Sequence, residues 1–189
     1  MYRILLTLLT VIGMTATATA QQQQNMNSTQ SNPKILVAYF SATGTTARAA
    51  EKVAKATGGE LHAITPAKAY TSADLDWHNQ HSRSSLEMND TEARPEIAGK
   101  KLDMTRYDVV FIGYPIWWDL APRIINTFIE RYDLRGKTVI PFATSGSSAI
   151  ANSVAALQRE YPGLNLKNGR LLNRINDTTL QEWIERLGI

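Results

Sequence analysis

The chain predicts an α/β domain on a parallel sheet. Apolar runs alternate with amphipathic helical segments, three of the runs are long and unbroken, and each of these empties into a short polar or aromatic loop. An unbroken apolar run suits a strand buried on both faces, which a parallel sheet with helices on each side provides. Strand and helix in alternation imply right-handed crossovers, so the strands all end at one sheet edge.

The first strand is Ile35-Leu36-Val37-Ala38-Tyr39-Phe40, and Ala47 through Ala56 supply good helix formers after it. Glu60 to Ile64 makes a short strand that stops before Pro66. Asp108 to Tyr114 and Lys137 to Ala143 are central strands, the second weakened by Pro141. Between them Pro122 opens a helix whose Ile124, Ile125, Phe128 and Ile129 form an apolar stripe, with Gly136 after its end. Ser147 to Glu160 is a further helix, stopped by Pro162-Gly163. Leu164 to Leu172 holds a weak last strand, and Thr178 to Leu187 a closing helix with Leu180, Trp183, Ile184 and Leu187 on one side. Thr65 to Arg106 exceeds a simple crossover and is expected to hold a helix and a lid.

Residues 1–20 read as a separate unit, with Arg3 as a short positive region, Ile4 to Met14 as an apolar core and Ala18-Thr19-Ala20 as a small-residue cleavage pattern. These are the parts of a secretory signal peptide. A lone arginine gives no twin-arginine signal, which implies Sec export to the periplasm or beyond as a soluble protein that acquires any ligand outside the cytoplasm. The apolar core falls short of the roughly 20 residues that span a bilayer. Residues 21–32, rich in Gln, Asn, Ser and Thr, read as a disordered tether, and the folded domain is expected over 33–189. With no cysteine, thiol redox chemistry, disulfides and iron–sulfur clusters are excluded, so electron chemistry needs a cofactor. Losing Arg3 with the leader leaves 19 basic against 17 acidic residues, or +2, too mild a balance to argue for nucleic acid.

The loop after the first strand, Ser41-Ala42-Thr43-Gly44-Thr45-Thr46, sets hydroxyls and unpaired helix-start amides together, with the positive end of the helix dipole behind them. Such a loop suits a phosphate monoester through Ser41, Thr43, Gly44, Thr45 and Thr46; alone it reads equally as a turn capping a helix. It lacks both the Gly-x-x-x-x-Gly-Lys-Ser/Thr pattern and Gly-x-Gly-x-x-Gly, which sets aside nucleoside triphosphates and Rossmann-bound dinucleotides. Pro115-Ile116-Trp117-Trp118 puts two indoles at the same edge; one alone is most simply core, whereas of two adjacent ones at least one is expected to face the crevice and stack on a planar ligand. Thr144-Ser145-Gly146-Ser147-Ser148 adds uncharged donors for the edge of a heterocycle, or a helix N-cap, two roles that coexist. A phosphate cradle, a stacking aromatic and a polar edge-reader together describe a site for flavin mononucleotide (FMN).

On these three motifs the chain resembles flavodoxin-like proteins, in particular exported bacterial ones, over essentially all of 33–189. The resemblance implies a flavodoxin-like doubly wound sheet of five parallel strands in the order 2-1-3-4-5 within a three-layer sandwich. It also implies that the first motif holds the FMN phosphate, the second covers one face of the isoalloxazine, and the third lies along its pyrimidine side. Two departures bear on function. No aromatic occurs between Thr144 and Ser148 to cover the second flavin face, and Ile116 to Asp119 offers no glycine for the peptide flip that accompanies one-electron reduction. Both favour hydride-level reduction of a small molecule at an exposed flavin face.

The resulting expectation is an FMN-dependent oxidoreductase or electron-transfer protein, with NAD(P)H, a quinone or a redox protein as donor and acceptor. Its rivals are a non-enzymatic FMN carrier serving a partner protein and a flavodoxin-fold binding domain without flavin. No side chain is assigned as catalytic, since Ser145 and Ser147 have no histidine close in sequence. Asp74, His78 and His81 are read as loop anchors rather than a metal site, and Arg48 as a surface charge beside Glu51. For Tyr70 and Trp77, packing of the long insertion onto the domain is the simpler role, against one on the substrate side of the flavin.

Overall fold

In the computed structural model the described residues are 32–189, and Pro33–Ile189 form one unit. The leader expected at 1–20, and the tether at 21–32 apart from its last residue, lie outside the described residues. Among the described residues there are six strands: β1 (Ile35–Tyr39), β2 (Glu60–Ala63), β3 (Val109–Pro115), β4 (Thr138–Thr144), β5 (Asn165–Leu166) and β6 (Arg170–Leu171). With them, among the described residues, are five α-helices, α1 (Thr45–Thr57), α2 (Arg83–Asn89), α3 (Arg123–Arg131), α4 (Ala151–Glu160) and α5 (Asp177–Leu187), and a 3-10 helix at Met104–Arg106. The pairings are all parallel and run β2-β1-β3-β4-β5, with β6 also paired to β4. This is the expected order.

Alternation along β1 shows why the central strands are apolar throughout. Leu36, Ala38 and Phe40 enter a core with Ile124, Ile125 and Phe128 of α3, while Val37 enters a second core with Ala50 and Val53 of α1 and Trp183 and Ile184 of α5. Each core occupies one face, so the sheet is the middle of three layers.

Three boundaries differ from expectation. The helix after Pro122 ends at Arg131 rather than near Gly136, because the chain turns to bury Leu134, and Gly136 takes φ +76° in the turn before β4. Helix α4 begins at Ala151, not Ser147, because the amides of Ser147 and Ser148 bond to Ser145 Oγ at 3.2 and 2.8 Å in a local turn. The last strand is broken in two, and Pro141 explains the break. Lys167 N–H donates to Val139 O and Leu172 N–H to Ala143 O, each at 2.8 Å, so the odd-numbered residues of β4 face this edge, and Pro141 has no N–H to give. Gly169 fits beside it, where a Cβ would come within 2.6 Å of Ile150 Cδ1 and 2.9 Å of Pro141 O.

Two contacts fix the edge where β1, β3 and β4 end. Gly113 pairs in register with Phe142, and a Cβ on Gly113 would collide with the Phe142 ring. Thr46, at the start of α1, shares a buried hydrogen bond of 2.8 Å with Thr144 at the end of β4, joining the first loop to the third.

Gly113→Ala is expected to lower unfolding free energy in urea by about 2 kcal/mol through overpacking, and by clearly less in a Phe142→Leu background. Thr144→Val, which strands the Thr46 hydroxyl, should cost about 1–3 kcal/mol, whereas Thr46→Val/Thr144→Val together should recover much of that loss in the same assay.

Candidate functional site

The three loops after β1, β3 and β4 line one cavity of about 540 Å³, within the range of small-molecule sites. Thr43, Thr45 and Thr46 come from the first loop, Pro115, Ile116, Trp117 and Trp118 from the second, and Thr144, Ser145, Gly146, Ser147 and Ser148 from the third. Of the residues expected at the site, Ser41 and Gly44 do not line this cavity and sit in the backbone turn that shapes it.

In the first loop, Arg48 N–H is the first amide to bond within α1, to Gly44 O at 3.2 Å. No hydrogen bond reaches the amides from Ser41 to Ala47 among the described residues. Amides at a helix start have no intrahelical acceptor, so the run is open to the oxygens of an anionic ligand. Ser41 Oγ adds to it, being buried with no partner. Gly44 adopts φ +85°, the left-handed turn that aims this run and that a side chain would strain. Thr46 differs from expectation, since its hydroxyl is engaged by Thr144, while Thr43 and Thr45 are exposed. Arg48 is exposed as expected, yet its guanidinium sits beside the turn, with Nη2 donating to Thr45 Oγ1 at 3.4 Å.

The second loop is a tight turn. Trp117 N–H donates to Leu120 O at 3.0 Å and Leu120 N–H to Trp117 O at 2.9 Å, with Trp118 at φ +46° and Asp119 at φ +66° between them. Two successive positive φ values make a type I′ geometry, which normally selects Asn or Gly; a non-glycine residue in this region costs on the order of 1–3 kcal/mol. Asn152 of α4 donates to the Asp119 carboxylate and holds the turn from outside. The two indoles divide the roles between them. Trp117 packs edge-on against Phe40 and Tyr70, with ring centroids 5.6 and 5.4 Å apart, whereas Trp118 is 45% exposed at the cavity.

Tyr70 supports Trp117 from the insertion. Its hydroxyl donates to Glu87, and the Arg83 guanidinium lies 3.9 Å above its ring while Nε donates to Glu87 Oε1 at 2.6 Å. Burial, reinforced by the Glu87 carboxylate, pushes the Tyr70 phenol well above its ordinary range, so it stays a neutral donor. Packing is therefore the role of Tyr70. For Trp77 the packing role fails, since its indole is 66% exposed and lines the cavity together with Leu75 and Ser84.

In the third loop Asn173 grips Ser145 twice, accepting from its N–H at 2.7 Å and donating to its O at 2.6 Å. With Ser147 and Ser148 amides taken by Ser145 Oγ, the donors left without a partner among the described residues include Gly146 N–H and the hydroxyls of Ser147 and Ser148. The loop thus offers fewer donors than its sequence suggests. Asn152 and Asn173 escaped sequence reasoning because isolated asparagines carry no period or motif. Asp74 accepts from Thr71 N–H and Oγ1 at 2.9 and 2.8 Å and anchors its loop, as expected, and no cluster of His, Asp and Glu suited to a metal occurs among the described residues.

The Flavodoxin family model matches residues 34–187. A crystal structure of a protein from Bacteroides eggerthii DSM 20697 assigned as a flavoprotein is 64% identical, covers 84% of this chain and 99% of its own, and superposes with TM-score 0.82. Its counterpart from Bacteroides uniformis ATCC 8492 is 59% identical, covering 82% and 99%, with TM-score 0.79. A flavoprotein from Lactobacillus acidophilus NCFM, crystallised in complex with FMN, shares the fold at 23% identity, covering 80% and 99%, with TM-score 0.65. No curated protein matches the chain. Sheet order, strand-end cavity and a family match spanning nearly the whole described domain agree, and the chain belongs to the flavodoxin family.

Proposed function

We propose that the chain binds FMN in this cavity and serves as a flavin-dependent oxidoreductase or electron-transfer protein of the exported compartment. The observation that carries the reading is the run of unpartnered amides from Ser41 to Ala47 with the buried, unpartnered Ser41 Oγ. These groups fit a phosphate monoester, a dense set of acceptors, and no lysine is needed to hold it. The rest of the cavity fits a flat heterocycle, because Trp118 offers an exposed indole, Trp117 is braced behind it, and Gly146 N–H with the Ser147 and Ser148 hydroxyls offers neutral partners for carbonyl and imide groups.

Bound FMN supplies the electron and hydride chemistry that side chains alone do not. The protein's part is position. Helix-start amides would hold the ester end, the Trp117–Leu120 turn would present Trp118 to the ring, and Asn173 and Asn152 tie down the loops on either side. The turn is stapled by two reciprocal backbone bonds and holds no glycine, which resists a peptide flip and favours two-electron over one-electron work. Residues 1–20 act as the export leader in this account, so the mature chain begins at Gln21.

FMN titrated into the protein should lose its fluorescence at a stoichiometry of one. Thr43→Glu, by charge repulsion, and Gly44→Val, by backbone strain, should each raise the dissociation constant at least about tenfold, or 1.4 kcal/mol. Trp117→Ala should weaken riboflavin and FMN by similar factors, since it acts on the ring. Unchanged affinity in all three variants would place the flavin elsewhere. N-terminal sequencing of protein from the periplasmic fraction should start at Gln21, and a start at Met1 would contradict export.

A further inference from the structure

The wall of the cavity built by the insertion is not used by the three loops. It comprises Leu75, Trp77 and Ser84. Trp77 leaves two-thirds of its surface to solvent, and its indole stacks on the His78 imidazole at 3.6 Å between centroids and 34° between planes. The backbone presenting it is pinned. Asp76 Oδ1 accepts from His78 N–H at 3.0 Å, Asp74 O accepts from Ser84 N–H at 2.9 Å, and Asp74 is itself held by Thr71. A large aromatic held by a fixed loop, exposed beside a cavity, is a surface prepared for a flat apolar partner.

Charge narrows the partner. Among the described residues lining the cavity the one ionisable side chain is Asp119, a carboxylate whose hydrogen-bond partner, Asn152, is neutral. With a phosphate ester held in the first loop, a second anion would meet like charge, and the described lining side chains include no cation to offset it. We propose that the Trp77 wall is a second subsite taking a flat aromatic molecule that carries no negative charge, bound beside the flavin as the molecule to be reduced. This rests on the FMN reading of the three loops.

The test uses FMN-loaded protein and two probes of one ring system, 2-(hydroxymethyl)anthraquinone and anthraquinone-2-sulfonate, in equilibrium dialysis. The uncharged probe should bind at least about tenfold more tightly than the sulfonate, and Asp119→Asn should narrow that gap. Trp77→Ala should weaken the uncharged probe about tenfold, the scale of a lost aromatic contact, while leaving the FMN dissociation constant within about twofold. Equal binding of the two probes, or an uncharged probe indifferent to Trp77→Ala, overturns the subsite. So does a Trp77→Ala variant whose FMN dissociation constant rises about tenfold or more, because Trp77 would then cover the flavin itself. Failure of the cofactor reading shows separately, as protein that takes up no flavin colour before any probe is added.

Discussion

The site depends on a stretch of backbone that the protein leaves unsatisfied. From Ser41 to Ala47 the chain passes from a buried strand into a helix without finding an acceptor for its amides, and Ser41 Oγ is buried beside them in the same condition. For the buried Ser41 hydroxyl the missing partner costs about 1–3 kcal/mol. The expense makes sense when a ligand with several acceptor oxygens completes the set. Gly44 makes the turn possible, and the Thr46–Thr144 bond ties the first loop to the end of β4, where the third loop begins.

A second cost lies on the neighbouring strand end, where Trp118 and Asp119 both occupy the left-handed region. Reciprocal hydrogen bonds between Trp117 and Leu120 and the grip of Asn152 on Asp119 hold them there. The arrangement separates two adjacent indoles that would otherwise compete for one place. Trp117 turns into the Phe40–Tyr70 cluster and becomes part of the scaffold, and Trp118 is left half-exposed over the cavity. Strain is thus used to give one aromatic to the core and leave the other exposed at the cavity.

Much of this was legible in the sequence because a buried parallel strand and its loop announce themselves by composition. Ile35 to Phe40, Asp108 to Tyr114 and Lys137 to Ala143 are apolar until the sheet edge, and the change to hydroxyls or indoles marks where the ligand end begins. The strand order followed from the resemblance those motifs carry. What escaped was set by single polar contacts across long sequence separations. Asn173 reaches back to Ser145, Asn152 to Asp119, and Pro141 breaks the strand opposite it because its missing N–H faces that edge. Trp77 was misassigned for a similar reason: an aromatic in a long insertion looks the same in sequence whether its loop folds over it or holds it out.

The central claim is that unpaired amides at the start of α1 hold the ester end of the flavin, and the most direct measurement follows those amides by NMR while FMN and riboflavin, which lacks the phosphate, are compared. FMN should shift the Ser41 to Ala47 amide resonances strongly and bind at least about a hundredfold more tightly than riboflavin, a gap of about 2.7 kcal/mol. Equal affinity for the two flavins, with those resonances unmoved by either, would contradict the account.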